Sequence, residues 1–218
     1  MVVSALDADG LRRAANTDNP KSFAARARAK RWHEFSRRFP GIEAMRVLDL
    51  GGTPRYWRAA PVKPQHVTVV NLIAEPADEQ WIDSVEGDVL TLDLGEQFDL
   101  VVSNSLIEHI VGITPRRQLI ETIDRHAPRH WVQTPNKYFP VEPHWLFPFM
   151  QFLPRQTRIT IAQRWKFGHI RAATREEAKQ EVDGVELLGP QSMKSYFPDS
   201  DLWVERAFGL PKSLVAVR

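Results

Sequence analysis

Met45-Arg-Val-Leu-Asp-Leu-Gly-Gly-Thr53 decides how this chain is read. An apolar run that stops on an acidic residue and Gly51-Gly52 is the pattern of a buried parallel strand ending in a tight turn. Glycine makes such a turn because it reaches left-handed backbone without steric cost. Asp49 then stands near the carboxyl end of the strand, the side on which open α/β sheets bind small molecules. Nucleotide sites, flavin sites and purely structural turns all share a glycine-rich strand end, so this stretch alone leaves the three open.

Outward from it, further apolar runs alternate with helical or loop material. Strands are expected at Met45–Leu50, His66–Leu72, a short one near Val85–Leu90, Phe98–Ser103 and His130–Gln133. Between the last two, Thr114-Pro115-Arg116-Arg117-Gln118 and the following Leu-Ile-Glu-Thr-Ile give an N-cap, a first-turn proline and a helical stripe. Such alternation implies a mostly parallel α/β sheet. The tail holds Leu202–Phe208 and Ser213–Val217 on either side of Gly209-Leu-Pro-Lys212. It reads as an antiparallel hairpin closing the sheet edge.

At 218 residues the chain is most simply a single domain with embellishments. With no cysteine, disulfides and thiolate metal sites are excluded, which fits a cytoplasmic protein. The opening Met1-Val-Val-Ser-Ala-Leu has neither a basic nor an apolar leader region, and no apolar run is long enough to span a bilayer. A net charge of +2 does not by itself imply nucleic acid. The charge is concentrated, however. Nine Lys and Arg residues between Arg12 and Arg38 face only Asp18 and Glu34. Thr17-Asp18-Asn19-Pro20 marks a turn, and Phe23, Ala27, Trp32, Phe35 and Phe39 are roughly helix-spaced from Ser22 to Phe39, where Pro40-Gly41 ends the pattern. The segment is a solvated helix face or a cationic cap for an anionic substrate, a lipid headgroup or RNA.

Tyr138-Phe-Pro-Val-Glu-Pro-His-Trp-Leu-Phe-Pro-Phe-Met-Gln-Phe-Leu-Pro154 breaks the alternation. Its four prolines disfavour a regular helix or strand. The segment is a hydrophobic insert packing on the core or a second subunit, or it is the wall of a substrate pocket. Its aromatics make a homodimer an open expectation.

Four strand ends now stand in order: Asp49-Leu-Gly51-Gly52, Val70-Asn71, Gly87-Asp88-Val89, and Ser103-Asn104 leading into Ser-Leu-Ile-Glu-His109. In this ordered set the sequence resembles the class I S-adenosylmethionine-dependent methyltransferases, in their small-molecule, type-11-like branch. The resemblance spans residues 44–136 and implies a Rossmann-like fold, its antiparallel hairpin at the C-terminus. Residues 1–40 would then be a basic helical cap, 137–170 a substrate-pocket insert and 185–218 the closing strands. Residue by residue, Gly51 and Gly52 would admit the methionyl part of S-adenosyl-L-methionine, with Asp49 and Thr53 in the same loop. Asn71 stands where the family has an acidic residue on the ribose. Asp88 and Val89 would meet the adenine, and Ser103 and Asn104 would lie beneath the reacting methyl.

Two features depart from the family. Asn71 lacks the two-oxygen, charge-assisted grip of a carboxylate. The loop lacks a third small residue and carries Tyr56 and Trp57 instead, which argues against a dinucleotide fold needing a glycine cradle for pyrophosphate.

Nitrogen methylation of the kind that uses an Asn/Asp-Pro-Pro-Tyr run is disfavoured, because Ser103-Asn-Ser-Leu-Ile-Glu-His109 stands there. That makes a hydroxyl acceptor the first choice, with a base to take its proton, for which His is suited near neutral pH. His144, two residues after Glu142, is the first candidate base, and His109 is the second. His126, His130 and His169 lack comparable placement. His and acidic residues could also hold a divalent metal such as magnesium, though no spacing specifies one. The segment Thr134-Pro-Asn-Lys-Tyr-Phe-Pro-Val-Glu-Pro-His144 is similar to that of actinobacterial enzymes making secondary metabolites and polysaccharides, so the resemblance points to O-methylation of a sugar or polysaccharide precursor. The expected partner is a small-molecule hydroxyl substrate, not nucleic acid. The alternative is an inactive methyltransferase-fold protein that binds RNA or a membrane surface through its basic segment.

Overall fold

The computed structural model describes residues 23–165, 168 and 172–218; the Thr17-Asp18-Asn19-Pro20 turn, the basic residues before Phe23 and His169 lie outside them. The described residues form two compact units. One holds Phe39–Tyr138 and Gly184–Arg218; the other holds residues up to Arg38 and Phe139–Asp183.

Along the chain the strands are β1 (Arg46–Leu50), β2 (His66–Asn71), β3 (Ile82–Glu86), β4 (Leu100–Asn104), β5 (His130–Pro135), β6 (Val141–Glu142), β7 (Phe147–Pro148), β8 (Asp201–Ala207) and β9 (Leu210–Val217). The helices are α1 (Phe23–Arg38), α2 (Pro54–Arg58), α3 (Ile113–His126), α4 (Arg155–Arg164), α5 (Arg175–Asp183) and α6 (Pro190–Tyr196).

The larger unit is built on a seven-stranded sheet in the order β3-β2-β1-β4-β5-β9-β8. β1 to β5 run parallel, and β9 inserts antiparallel between β5 and β8. The first parallel strands are mainly apolar because helices cover both faces of such a sheet, and Val47, Leu48, Leu50, Val67, Val70 and Val101 are accordingly buried. Leu119 and Ile123 of α3 and Met193 of α6 share the core with Leu48 and Val101. The order reverses between β1 and β4, so their carboxyl ends flank the crevice at which open α/β sheets take ligands. The expected mixed sheet and closing hairpin are present, with the second hairpin strand inside and the first at the edge.

Three sequence-based boundaries need correction. The third strand is Ile82–Glu86, not Val85–Leu90, because it is an edge strand with Ile82 alone buried and therefore lacks an apolar run. Gly87 ends it, its N–H going to Asn71 O at 2.8 Å. The fourth strand starts at Leu100, two residues after Phe98, whose N–H is taken by His126 O at 2.9 Å. Helix α3 starts at Ile113 on Gly112, at φ 100, without a side-chain cap, so Thr114 is a first-turn residue and not the N-cap.

In the smaller unit, α1 spans the expected helical segment, with Trp32 and Phe35 buried edge to face at 5.3 Å. Glu34 pairs with Arg37 and Arg38, which hold its carboxyl at about 2 and neutralise part of the basic face. The proline-rich segment folds as a short hairpin of β6 and β7 followed by a 3-10 turn at Met150–Phe152. Leu146 and Phe149 take positive φ there, the strained backbone that periodicity cannot foresee. Arg155 Nε donates to Asp183 Oδ1 at 2.7 Å, tying α4 to α5. No helix among the described residues is long and apolar enough to cross a membrane.

Candidate functional site

The turn after β1 needs glycine twice, for different reasons. Gly51 has φ 76, and a Cβ there would lie 2.9 Å from Leu106 Cδ1. Gly52 is packed on the Asp49 carboxylate, where a Cβ would lie 1.7 Å from Oδ2. Asp49 is wholly buried. Its Oδ2 accepts from Trp57 Nε1 at 2.7 Å, and its Oδ1 has no hydrogen-bond partner among the described residues. Burial pushes the carboxyl up to about 7, against the opposing effect of the Trp57 hydrogen bond. Trp57 comes from α2, a single turn started by Pro54 and capped by Thr53, whose Oγ1 accepts from Tyr56 N at 3.2 Å. The bulky residue that distinguished this loop from a dinucleotide cradle is thus the anchor of its acid.

The neighbouring strand ends close around this turn. Asn71 donates from Nδ2 to Gly52 O, so its side chain braces the loop. Leu72 and Ile73 follow it and are 73% and 80% exposed. Asp88 is exposed and accepts from Leu90 N at 2.9 Å, while Val89 packs half-buried on the core. Ser103 is buried and donates to Leu50 O at 3.1 Å, so its hydroxyl locks β4 to β1. Asn104, half-buried, has an Oδ1 with no partner among the described residues. Ser105 turns at φ 55, and Glu108 beyond it is buried, accepting from Thr134 Oγ1 at 2.8 Å. His109 is exposed at the end of the 3-10 turn Ile107–His109.

In the smaller unit the Glu142 carboxylate is buried and binds one short segment three ways. Oε1 meets His144 Nδ1 at 2.6 Å, and Oε2 accepts from His144 N at 2.8 Å and Trp145 N at 3.0 Å.

The structure thus packs Asp49 and Asn71 on Gly52, with Gly51 and Thr53 in the same turn and Asp88, Val89 and Asn104 at the adjoining strand ends. Sequence reasoning missed Trp57 as a partner of Asp49, Leu106 over Gly51, Glu108 with Thr134, and the Leu72-Ile73 pair. Of these only the last carried a signal: two large apolar residues continuing past the polar end of a strand.

Sheet order, reversed last strand and glycine turn together define the class I S-adenosylmethionine-dependent methyltransferase fold. The N-methyltransferase NodS from Bradyrhizobium japonicum is similar to this chain with a TM-score of 0.55 and 12% identity, over 93% of this chain and 97% of that one. DhpI, solved with S-adenosylhomocysteine, gives a TM-score of 0.54 and 13% identity over 96% and 95%. An S-adenosylmethionine-dependent methyltransferase from Mesorhizobium loti gives 0.51 and 14% over 85% and 95%. No protein-family model and no curated protein matches the sequence.

Proposed function

We propose that this protein is an S-adenosylmethionine-dependent O-methyltransferase acting on a hydroxyl of a small molecule, in first place a sugar or polysaccharide precursor. The observation that carries the cofactor is Asp49: a buried carboxylate with one oxygen unpartnered among the described residues, pressed on a glycine that leaves no room for a side chain. A buried anion of this kind is costly unless a cation compensates it. A cationic ligand against the Gly51-Gly52 turn fits that need. NodS and DhpI, which share the fold, were solved with S-adenosylhomocysteine.

On this reading Asp49, Gly51, Gly52 and Thr53 hold the amino-acid end of the cofactor. Asn71 and Asp88 take hydroxyl and amino groups of its nucleoside, with exposed Leu72 and Ile73 as the apolar wall and Asn104 beneath the reacting end. The bound cofactor supplies an electrophilic methyl on a sulfonium. The chain's part is to hold the acceptor in line and remove its proton. His144 is assigned as base. A Nδ1–H donated to Glu142 fixes the tautomer that puts the basic lone pair on Nε2, and the carboxylate stabilises the imidazolium that forms. His109 is the second candidate.

Calorimetry with S-adenosylhomocysteine and with NAD tests the cofactor, and acceptor-dependent release of S-adenosylhomocysteine tests the reaction. Saturable binding of the first ligand with none of the second is expected. Heat from NAD alone would overturn the assignment.

A further inference from the structure

A concave site lies within the sheet-bearing unit, apart from the glycine turn. Its cavity of about 320 Å³ is bordered by Gly112 and Arg116 from the chain after β4, Lys137 and Tyr138 from the chain after β5, and Glu186 and Gly189 ahead of α6. We propose that it binds one neutral sugar ring, stacked on Tyr138. The inference deepens the sugar-acceptor reading above and rests on it for the purpose of the site, though not for the binding itself.

Tyr138 is 61% exposed, yet it is held in place from three sides. Its N–H goes to Asn136 Oδ1 at 3.2 Å, and the preceding Lys137 N–H goes to Leu188 O at 2.9 Å. Asn136 is itself buried and fixed through Nδ2 to Pro211 O at 2.9 Å. The ring lies on Gly189, where a Cβ would come within 2.8 Å of Tyr138 Cε2. A large aromatic ring seated on a glycine and still mostly open to solvent offers a flat apolar face at small entropic cost. The C–H face of a pyranose is the matching surface.

The polar groups around it suit hydroxyls. Arg116 is buried and engaged: Nε donates to Ile107 O, Nη2 to Glu186 O at 3.0 Å, and Nη1 pairs with Glu186 Oε2 at 3.0 Å. Its charge is therefore already met by a carboxylate and two carbonyls. The Glu186 side chain, 53% exposed, adds an acceptor. Lys137 and the Ser192 and Ser195 hydroxyls complete a rim of donors and acceptors. An aromatic floor, a half-open carboxylate and a hydroxyl rim together describe a polyol site of the size of a single ring.

The test is saturation-transfer NMR with methyl α-D-glucopyranoside and methyl α-L-fucopyranoside at millimolar concentration, with glucose 6-phosphate and cyclohexanol as comparators. At least one glycoside should receive saturation on its ring C–H protons, and should bind about tenfold more weakly to Tyr138→Ala. Tyr138→Phe, which keeps the stacking face, should retain binding, and S-adenosylhomocysteine affinity should be unchanged in both variants. No transfer to either glycoside, undiminished transfer in Tyr138→Ala, or preferential binding of the phosphate or of cyclohexanol overturns the proposal. Glycoside binding without any S-adenosylhomocysteine binding leaves the sugar site standing and removes the methyltransferase reading.

Discussion

Asp49 shows how much one side chain can say about a ligand. A free carboxyl titrates near 4, and burial moves this one to about 7. Because the folded value is raised, the native state binds its proton more tightly than the unfolded chain does. The favourable contribution is present at acid pH and lost as pH rises from about 4 to about 7. A cation bound at the turn would reverse the trend by stabilising the ionised form, and would release a proton on binding near neutrality. Thermal melts with and without S-adenosylhomocysteine, from about pH 5 to about pH 8, should therefore show stabilisation that grows with pH. Asp49→Asn should lose that growth along with affinity. A stabilisation flat with pH in the wild type would sink the idea that the cofactor's ammonium answers this carboxylate. Trp57, which donates a hydrogen bond to the carboxyl, could not be assigned that part from its type, since an eight-residue separation carries no pairing rule.

Among the elements, the β6–β7 hairpin is where sequence and structure diverge most. The pairing of Glu142 with His144 was legible from their spacing, but the hairpin that carries them was hidden by prolines and by two non-glycine residues at positive φ. It is held by the three contacts to Glu142 and by Gly168, where a Cβ would lie 2.5 Å from Trp145 Cα. If His144 is the base, the hairpin is a positioning device and responds as one. His144→Ala should lower turnover by roughly 10²–10⁴. Glu142→Gln, which keeps the shape and removes the charge, should cost less and shift the acid limb of the pH–rate profile. Gly168→Ala should lower turnover by displacing the Trp145 backbone. All three should leave S-adenosylhomocysteine affinity alone. Should His144→Ala stay active while His109→Ala does not, the base moves to His109.

Across the whole molecule, the first two strands were nearly complete in the sequence because both are buried on both faces and so read as mainly apolar runs, interrupted between their ends by Asp49 and by Thr68. The edge strand β3 and the start of α3 were misread because edge position and a glycine cap leave no such run. The pairing of α1 with Phe139–Asp183 in one unit was not legible at all, since it joins segments a hundred residues apart in the chain. The two ends of the sheet in the larger unit carry different groups. Glycine turn, Asn71 and Asn104 stand at the carboxyl ends, whereas His130 opens β5 at the amino end, paired with Ser200 Oγ at 2.7 Å and tilted against Phe197. Burial, with Arg218 nearby, lowers the His130 imidazolium to about 4. The unfolded chain therefore takes up a proton first, and this residue's contribution to stability, present above about pH 6.5, is lost as pH falls toward 4. Its sign is opposite to that of Asp49 over the same range. His130→Phe keeps a ring against Phe197 and removes both the titration and the Ser200 bond. It should lower stability near neutral pH by about 1–3 kcal/mol, leaving Ser200 without its ring partner. It should also flatten the loss of stability between about pH 6.5 and about pH 4. Urea denaturation at several pH values measures both effects. Because the substitution lies at the amino end, S-adenosylhomocysteine affinity at neutral pH should match the wild type, and a variant that loses affinity while keeping its acid sensitivity would contradict this division of the sheet.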